Sequence, residues 1–548
     1  MKVVDAIAEI LKKEGVDYLP CYPTTPIIEA AAGAKIRPIV CRQERVGVGI
    51  ADGFSRVTNG RPPGVFAMQY GPGAENAFSG VATAYSDSVP MLLLPAGHPG
   101  VRIGVPPHFD SVRAYEPVTK TVERINTSER VSEIMRRAFS NLKMGRPGPV
   151  MVEIPSDIAL DEADEAVSKY QPVRATCSAA SPRDVDAAAR ALLAARSPVI
   201  YAGQGVMYAG ACEELKQLAE LVQAPVTTTL VGKSAFPEDH PLALGTGGAT
   251  SAGPVVTFLK DADLVFGVGT SFTRHGMTIT IPPGKVMVQA TNDPRDINKD
   301  YTIDHPIIGD ARLVLLQFIE AVKDRLGKGR PADGERAAQV KAARDAWLAE
   351  WMPKLTSDET PMTPYRVIWD LMKTVDPSEA IVTHDSGSPR DQMIPFYRAA
   401  GPRTYLGWGK SHGLGTGLGL AMGAKLADPD KLCINWMGDA AFGMVGLDFE
   451  TAARAGVPIL TIVSNNSTMA AETNQMRVSH DLYNTRDIGG NYADMARAMG
   501  GYSERVEKPS EIGPAIKRAK EATEEGRAAL LEFITCSETA ASHRRAFG

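Results

Sequence analysis

No two of the six cysteines, at 21, 41, 177, 212, 433 and 536, stand at Cys-x-x-Cys spacing, which excludes the usual zinc-ribbon and thioredoxin-type patterns. Several lie in apolar, strand-like runs, which points to buried thiols in a reducing, cytoplasmic compartment. There is no membrane-length apolar stretch. The start, Met1 to Leu11, reads as an amphipathic helix without the apolar core and small-residue cleavage site of an export signal. Charge of one sign is also missing: 59 Lys and Arg against 64 Asp and Glu leave a formal charge of −5. Such a surface gives no global attraction to nucleic acid or to an anionic membrane, so an anionic ligand must be held locally.

At 548 residues and 44% hydrophobic content, the chain has room for three or four ordinary cores. Leu432 to Met437 reads as a buried strand ending at Gly438, followed by Asp439-Ala440-Ala441. Apolar residues at helical spacing from Phe442 to Ala455, then the strand-like run Val457 to Val463, describe one βαβ crossover. That crossover brings Asn466, 27 positions after Asp439, to the same sheet edge, where open α/β sheets bind ligands. Asp439 and Asn466 offer the hard oxygens that Mg²⁺ prefers when it also holds phosphate.

This segment resembles the cofactor motif of thiamine diphosphate (ThDP) enzymes, which begins Gly-Asp-Gly and ends Asn-Asn. The departure is Ala440 in place of the third-position Gly, a change expected to leave its N–H free for a phosphate. The resemblance implies that Asp439, the Asn466 side chain and the Thr468 carbonyl hold Mg²⁺. It also implies that Gly438, Ala440, Ala441, Met469, Ser388 and Pro23 line the cofactor. Arg42-Gln43-Glu44-Arg45 looks like the segment carrying the glutamate that activates ThDP through its pyrimidine ring. Gly71-Pro72-Gly73-Ala74-Glu75-Asn76 is similar to the Gly-Pro-Gly-Ala-x-Asn turn of the same family and adds Asn76 to the cofactor residues. Gly409 to Gly419 is too glycine-rich at its start for a helix. In the family a bulky residue here, aligned with Leu414, wedges under the thiazolium, and the His412 carbonyl accepts from the aminopyrimidine.

Three Rossmann-like open-sheet α/β domains are implied: pyrimidine-binding (residues 1–165), central (183–327) and diphosphate-binding (358–548). An Ala/Ser-rich linker covers about 160 to 182, and a charged segment runs from Gly327 to Lys341. Thr227 to Pro241 could be mistaken for a P-loop, but Thr227 stands where the first glycine is required; the run resembles the middle domain of acetolactate-synthase-like ThDP enzymes. Their arrangement implies a homodimer or homotetramer with the active site at the subunit boundary.

Residues outside the shared motifs decide the chemistry. His98, His108, Tyr70, His412, Glu472, Asn474 and Gln475 are candidates, with His98 and His412 read as catalytic beside Glu44. His98 aligns with a family position next to the cofactor. True acetolactate synthases carry Gln at position 98, and Ser271 to His275 replaces their FAD-associated Arg-Phe-Asp-Asp-Arg, so FAD, or an ADP or CoA nucleotide, in the central domain stays open. The leading expectation is ThDP/Mg²⁺-dependent 2-oxo acid decarboxylation or carboligation. The alternatives are a 2-hydroxyacyl-CoA lyase or oxalyl-CoA decarboxylase, with the basic tail Ser542 to Arg545 meeting CoA or lying free in solvent, and a non-catalytic ThDP-binding regulator.

Overall fold

Runs such as Met91–Gly97 and Leu264–Val268 are apolar on nearly every residue, which suits strands covered by helices on both faces. A computed structural model of the chain describes residues 1–327, 329–332 and 334–548. Lys328 and Asp333, within the charged segment read from Gly327 to Lys341, lie outside the described residues.

Three six-stranded parallel sheets follow one another along the chain. The first has the spatial order Arg37–Val40, Tyr18–Cys21, Gly64–Met68, Met91–Gly97, Val150–Pro155, Thr121–Arg124. The third repeats that winding with Tyr405–Leu406, Ala380–His384, Leu432–Gly438, Leu460–Asn465, Ala529–Ile534 and Tyr502–Val506. The central sheet runs His305–Ile308, Val286–Thr291, Leu264–Val268, Pro198–Ala202, Val226–Thr229, Ala243–Gly247, a doubly wound order that reverses between Pro198–Ala202 and Leu264–Val268. The fold is therefore α/β with three open sheets.

The βαβ unit read from Leu432 to Val463 is present, with its crossover broken. Helix Asp439–Val445 gives way to a 3₁₀ turn at Gly446–Asp448 and a second helix, Phe449–Arg454. Gly446 stands at the break, where a side chain would overlap the Phe442 ring. The start of the P-loop look-alike lies in the buried strand Val226–Thr229, and Lys233 is buried with its Nζ bonded to both Glu238 oxygens, at 2.6 and 2.7 Å.

The first and third sheets join through helices Glu44–Val57 and Thr416–Ala427. A Cβ on Gly53 would lie 2.2 Å from Leu420 O, and one on Gly423 would lie 2.0 Å from Ile50 O. The two backbones touch, and only glycine allows it. Around this contact Ile39, Val46 and Ile50 share an apolar cluster with Leu418, Met422 and Phe442. Buried Arg56 pairs with Asp52 and Asp87 and donates to Gly407 O at 2.9 Å, tying the same two units together.

The tail is neither free in solvent nor detached. Ser542 is buried; its hydroxyl accepts from Trp347 Nε1 at 2.9 Å and donates to Ser251 O at 2.7 Å. Arg544 lies 3.3 Å from Asp391. All six cysteines are free thiols, with Cys21, Cys41 and Cys433 buried and Cys177 exposed. Among the described residues no helix is long and apolar enough to cross a membrane.

Candidate active site

In the third sheet Gly438 pairs with Ser464, so the turns that follow these strands emerge side by side. Asp439 opens helix Asp439–Val445 and is 4% exposed. Its Oδ1 accepts from Ala440 N at 2.8 Å, while buried Oδ2 meets no donor. Burial pushes this carboxyl up from its ordinary value, against the pull of the N–H groups of Ala440, Ser467 and Asn466. An anionic oxygen buried without a donor suits a cation ligand. In this structure the Ala440 N–H is bonded to the neighbouring Asp439 carboxylate.

The double Asn divides its work. Asn465 is buried and donates to Glu532 at 2.7 Å, and its oxygen receives Ser467 N at 3.0 Å. Half-buried Asn466 accepts from Thr468 N at 3.1 Å, which closes the turn and leaves its head group at the sheet edge. Ser467 sits in the left-handed region at φ 55°. Met469 N donates to Arg486 O at 2.9 Å. Ser388 begins helix Ser388–Phe396 after Gly387, at φ 80°, and the adjacent Pro389 lies 3.4 Å from where a Gly438 Cβ would stand. Asp439, Asn466, Thr468, Gly438 and Ser388 therefore share one edge.

Glu44, Asn76 and Pro23 belong to the first sheet's corresponding edge. Glu44 is 5% exposed at the start of its helix, and Asn76 Nδ2 donates to its Oε2 at 3.3 Å. Tyr115, whose hydroxyl donates to Ala74 O, closes the space behind the turn. Arg42 N donates to Asp448 at 2.7 Å and Gln43 to Met444 O at 3.2 Å, so Glu44 starts at the seam between the two units. Pro23 is exposed. Among the described residues no hydrogen bond or ion pair joins Glu44 to Asp439, Asn466, His412 or Leu414.

The loop carrying His412 and Leu414 is ordered by residues outside the sequence motifs. Buried Asp385 accepts from Gly415 N and Gly417 N, each at 2.9 Å, and burial pushes its carboxyl up to about 6. Neutral His384, pulled down to about 3 by burial, stacks on Trp408 at 5.2 Å. A signal was available: His384-Asp385 ends the apolar strand Ala380–His384 just as Gly438-Asp439 ends its neighbour. Leu414 is half-buried against the inter-unit cluster, and His412 is exposed.

His98, His108 and Tyr70 come together. The His98 ring lies 4.7 Å from Tyr70 and 4.2 Å from His108. Glu472 ends a 3₁₀ turn beyond the Asn466 loop, and Asn474 and Gln475 are exposed after it. A separate cavity of about 300 Å³ opens where the three units meet. It is lined by Gly203, Gln204, Gly205 and Gly269 at the central sheet's reversal point, by Arg146 from the first unit and by Lys410 from the third.

Three family descriptions match the chain in order: thiamine pyrophosphate enzyme, N-terminal TPP binding domain, over residues 1–113; its central domain over 185–318; and its C-terminal TPP binding domain over 385–533. A probable acetolactate synthase large subunit of Methanocaldococcus jannaschii is 31% identical over 95% of this chain and 90% of its own length. A sulfoacetaldehyde acetyltransferase of Castellaniella defragrans is 29% identical, covering 93% and 88%. A glyoxylate carboligase of Escherichia coli O157:H7 is 28% identical, covering 95% and 90%. The winding shared by the first and third sheets, the two adjacent turns at Gly438 and Ser464, and these matches along the whole chain agree: it belongs to the thiamine diphosphate-dependent enzymes of the acetolactate synthase-like family.

Proposed function

We propose that this chain makes or breaks the carbon–carbon bond next to a carbonyl, acting on a 2-oxo acid by decarboxylation, carboligation or both. The observation that carries this reading is the pairing of donorless Asp439 Oδ2 at one sheet edge with the Glu44–Asn76 contact at another. Asp439, the Asn466 side chain and the Thr468 carbonyl would hold Mg²⁺, with Ser388, Gly438, Ala441 and Met469 about the diphosphate. When bound, ThDP supplies the carbanion chemistry. Glu44 would hold and move a proton at the pyrimidine end, and Leu414 would support the thiazolium end. Names among the relatives support transfer to or from small carbonyl compounds: acetolactate synthase, sulfoacetaldehyde acetyltransferase, glyoxylate carboligase.

The active unit in this reading is a homodimer, the first-sheet edge of one protomer closing on the third-sheet edge of its partner. Exposed Met444, Leu447, Val478, Leu482 and Tyr483, flanking the Asp439 and Asn466 turns in sequence, support a covered face there. The units are taken as residues 1–165, 183–327 and 358–548. A nucleotide, FAD or one carrying ADP or CoA, would take the cavity at the central sheet's reversal point.

The test is mass spectrometry of cofactor adducts and products after incubation with Mg²⁺, ThDP and a panel of 2-oxo acids and 2-hydroxyacyl-CoA esters. Adducts from free 2-oxo acids are expected. Adducts from CoA esters alone would move the chain to the acyl-CoA lyase reading, and binding without any adduct would favour a regulator.

A further inference from the structure

Leu414 would support the thiazolium end of the cofactor, yet its own turn is held at few points. Among the described residues the backbone N–H groups of His412, Gly413 and Leu414 make no hydrogen bond. On one side of them Ser411 N donates to Ser86 Oγ at 3.1 Å and Lys410 Nζ to Ser86 O at 3.2 Å. On the other, Gly415 N and Gly417 N donate to the two oxygens of Asp385, each at 2.9 Å. These two anchors bracket Leu414.

Asp385 is itself fixed. It follows strand Ala380–His384, its N–H donates to Trp436 O at 2.7 Å, and its Oδ1 also receives Ser386 N at 2.8 Å. A Cβ on Gly417 would lie 2.4 Å from Asn435 Oδ1 and 3.0 Å from Asp385 Oδ2, so glycine lets the turn settle onto the carboxylate. Gly415, at φ 91°, makes the bend. Donors from two segments converge on both oxygens, and an amide in place of the carboxylate would offer one acceptor oxygen and set N–H against N–H.

A carboxylate buried this deeply is costly without an opposite charge. Burial pushes Asp385 up to about 6, opposed by the N–H groups of Gly415, Ser386 and Gly417 and then by Arg45. Arg45 follows Glu44 in helix Glu44–Val57; it is half-buried and makes no hydrogen bond or ion pair among the described residues. Burial lowers it and Asp385 raises it. The helix that carries Arg45 packs on the one that Asp385 caps: a Cβ on Gly49 would lie 3.2 Å from Gly419 Cα and 3.5 Å from Thr416 O.

We propose that Asp385 is a positioning residue for the thiazolium end of the cofactor: its two oxygens, with Arg45 as counter-charge across the seam between the first and third units, set the turn that presents Leu414. This rests on the cofactor role given to Leu414 above. Asp385 acts through Leu414 and not by contact with the reacting atoms.

The turn can be read before any turnover. In the full-length protein, amide hydrogen exchange over residues 410–418, followed by mass spectrometry, should quicken about 10–100-fold in Asp385→Asn, which strands a buried donor. With ThDP and Mg²⁺ bound, C2 proton exchange should slow about 10²-fold in Asp385→Asn and in Leu414→Ala, and no further in the double variant. A residue that merely stabilised the fold would give losses that add. In Arg45→Met the Asp385 carboxyl, followed in ¹³C-aspartate spectra assigned with Asp385→Asn, should titrate higher, and C2 exchange should be lost at a higher pH on acidification. That variant carries the test if Asp385→Asn does not fold. Unchanged C2 exchange in Asp385→Asn, additive losses, or an acid limb unmoved in Arg45→Met overturns the proposal. C2 exchange needs no substrate. Non-additive loss in a protein that turns over none of the 2-oxo acids upholds the role of Asp385 and refutes the proposed reaction. Turnover of a 2-oxo acid with C2 exchange unchanged in Asp385→Asn refutes the role alone.

Discussion

Asn76 Nδ2 stands 3.3 Å from Glu44 Oε2 and joins the first turn of helix Pro72–Ser86 to the first residue of helix Glu44–Val57. The contact fixes one carboxylate oxygen by a neutral donor and leaves the carboxylate without an ion-pair partner among the described residues. A group held this way keeps its orientation without having its charge cancelled, which suits proton transfer.

Glu44→Gln keeps the shape of the side chain and removes its capacity to hold a proton. We expect an intact fold and a loss of about 10²–10⁴-fold in ThDP C2 proton exchange, followed by NMR in deuterated water. Exchange at the unmodified rate would contradict the assignment.

Asp439→Ala removes a ligand rather than a proton carrier. Mg²⁺-dependent ThDP affinity, measured by calorimetry, should fall by at least ~10²-fold, beyond the ~10–100-fold cost of losing an outer partner. The protonated carboxyl cannot ligate, so affinity in the unmodified protein should fall as pH drops through the raised Asp439 value. Unchanged affinity in the variant would remove the metal role.

Gly423→Ala drives a methyl into Ile50 O across the paired helices. Overpacking of this kind costs about 1–3 kcal/mol, and more where backbone must move. Urea denaturation should show the loss, whereas Gly443→Ala, where a Cβ meets no atom within 4 Å, should be near neutral.

Burial pushes Asp448 up to about 6, against ~3.9 in an unfolded chain. Between those values the folded state binds the proton more tightly, so this group's contribution falls as pH rises from about 4 to 6 and stays low above. Full ionisation costs on the order of 2–3 kcal/mol. Asp448→Asn should therefore gain stability relative to the unmodified protein as pH rises through that window. Thermal melts at pH 4.5 and 7.5 check it, and a pH-independent difference would refute the burial cost.

Lys233→Met strands Glu238, which also accepts from Ala399 N at 2.8 Å. Breaking a buried pair on one side typically costs about 3–5 kcal/mol. Adding Glu238→Met should recover much of it in the same denaturation assay. A double variant as unstable as the sum of its singles would show that the pair is not coupled.

Asp439, Asn466 and the strand between them were legible because a βαβ crossover is local: spacing alone brings both turns to one edge, and hydrophobic period marks the elements. Glu44, Asn76 and Leu414 were legible as motifs, without the geometry that gives them work. The broken crossover helix was not legible: the backbone leaves helical geometry at Val445, at φ −134°, a residue whose side chain keeps to the apolar pattern. Nor was the Ala440 N–H, which a neighbouring carboxylate captures by a rotamer choice invisible in sequence.

The sequence by itself determined the α/β class and the residues that end the strands at the two sheet edges, because apolar period and glycine placement act within a few residues of one another. Tertiary structure decided which side chains meet across distance. Asp385 reaches Gly415, Arg102 Nε lies 3.3 Å from His108 Nε2, and Ser542 docks the tail between Trp347 and Ser251. The physical reason is range: a hydrogen bond closes within about 3 Å, and only the packing of separate helices and sheets brings residues far apart in the chain to that distance.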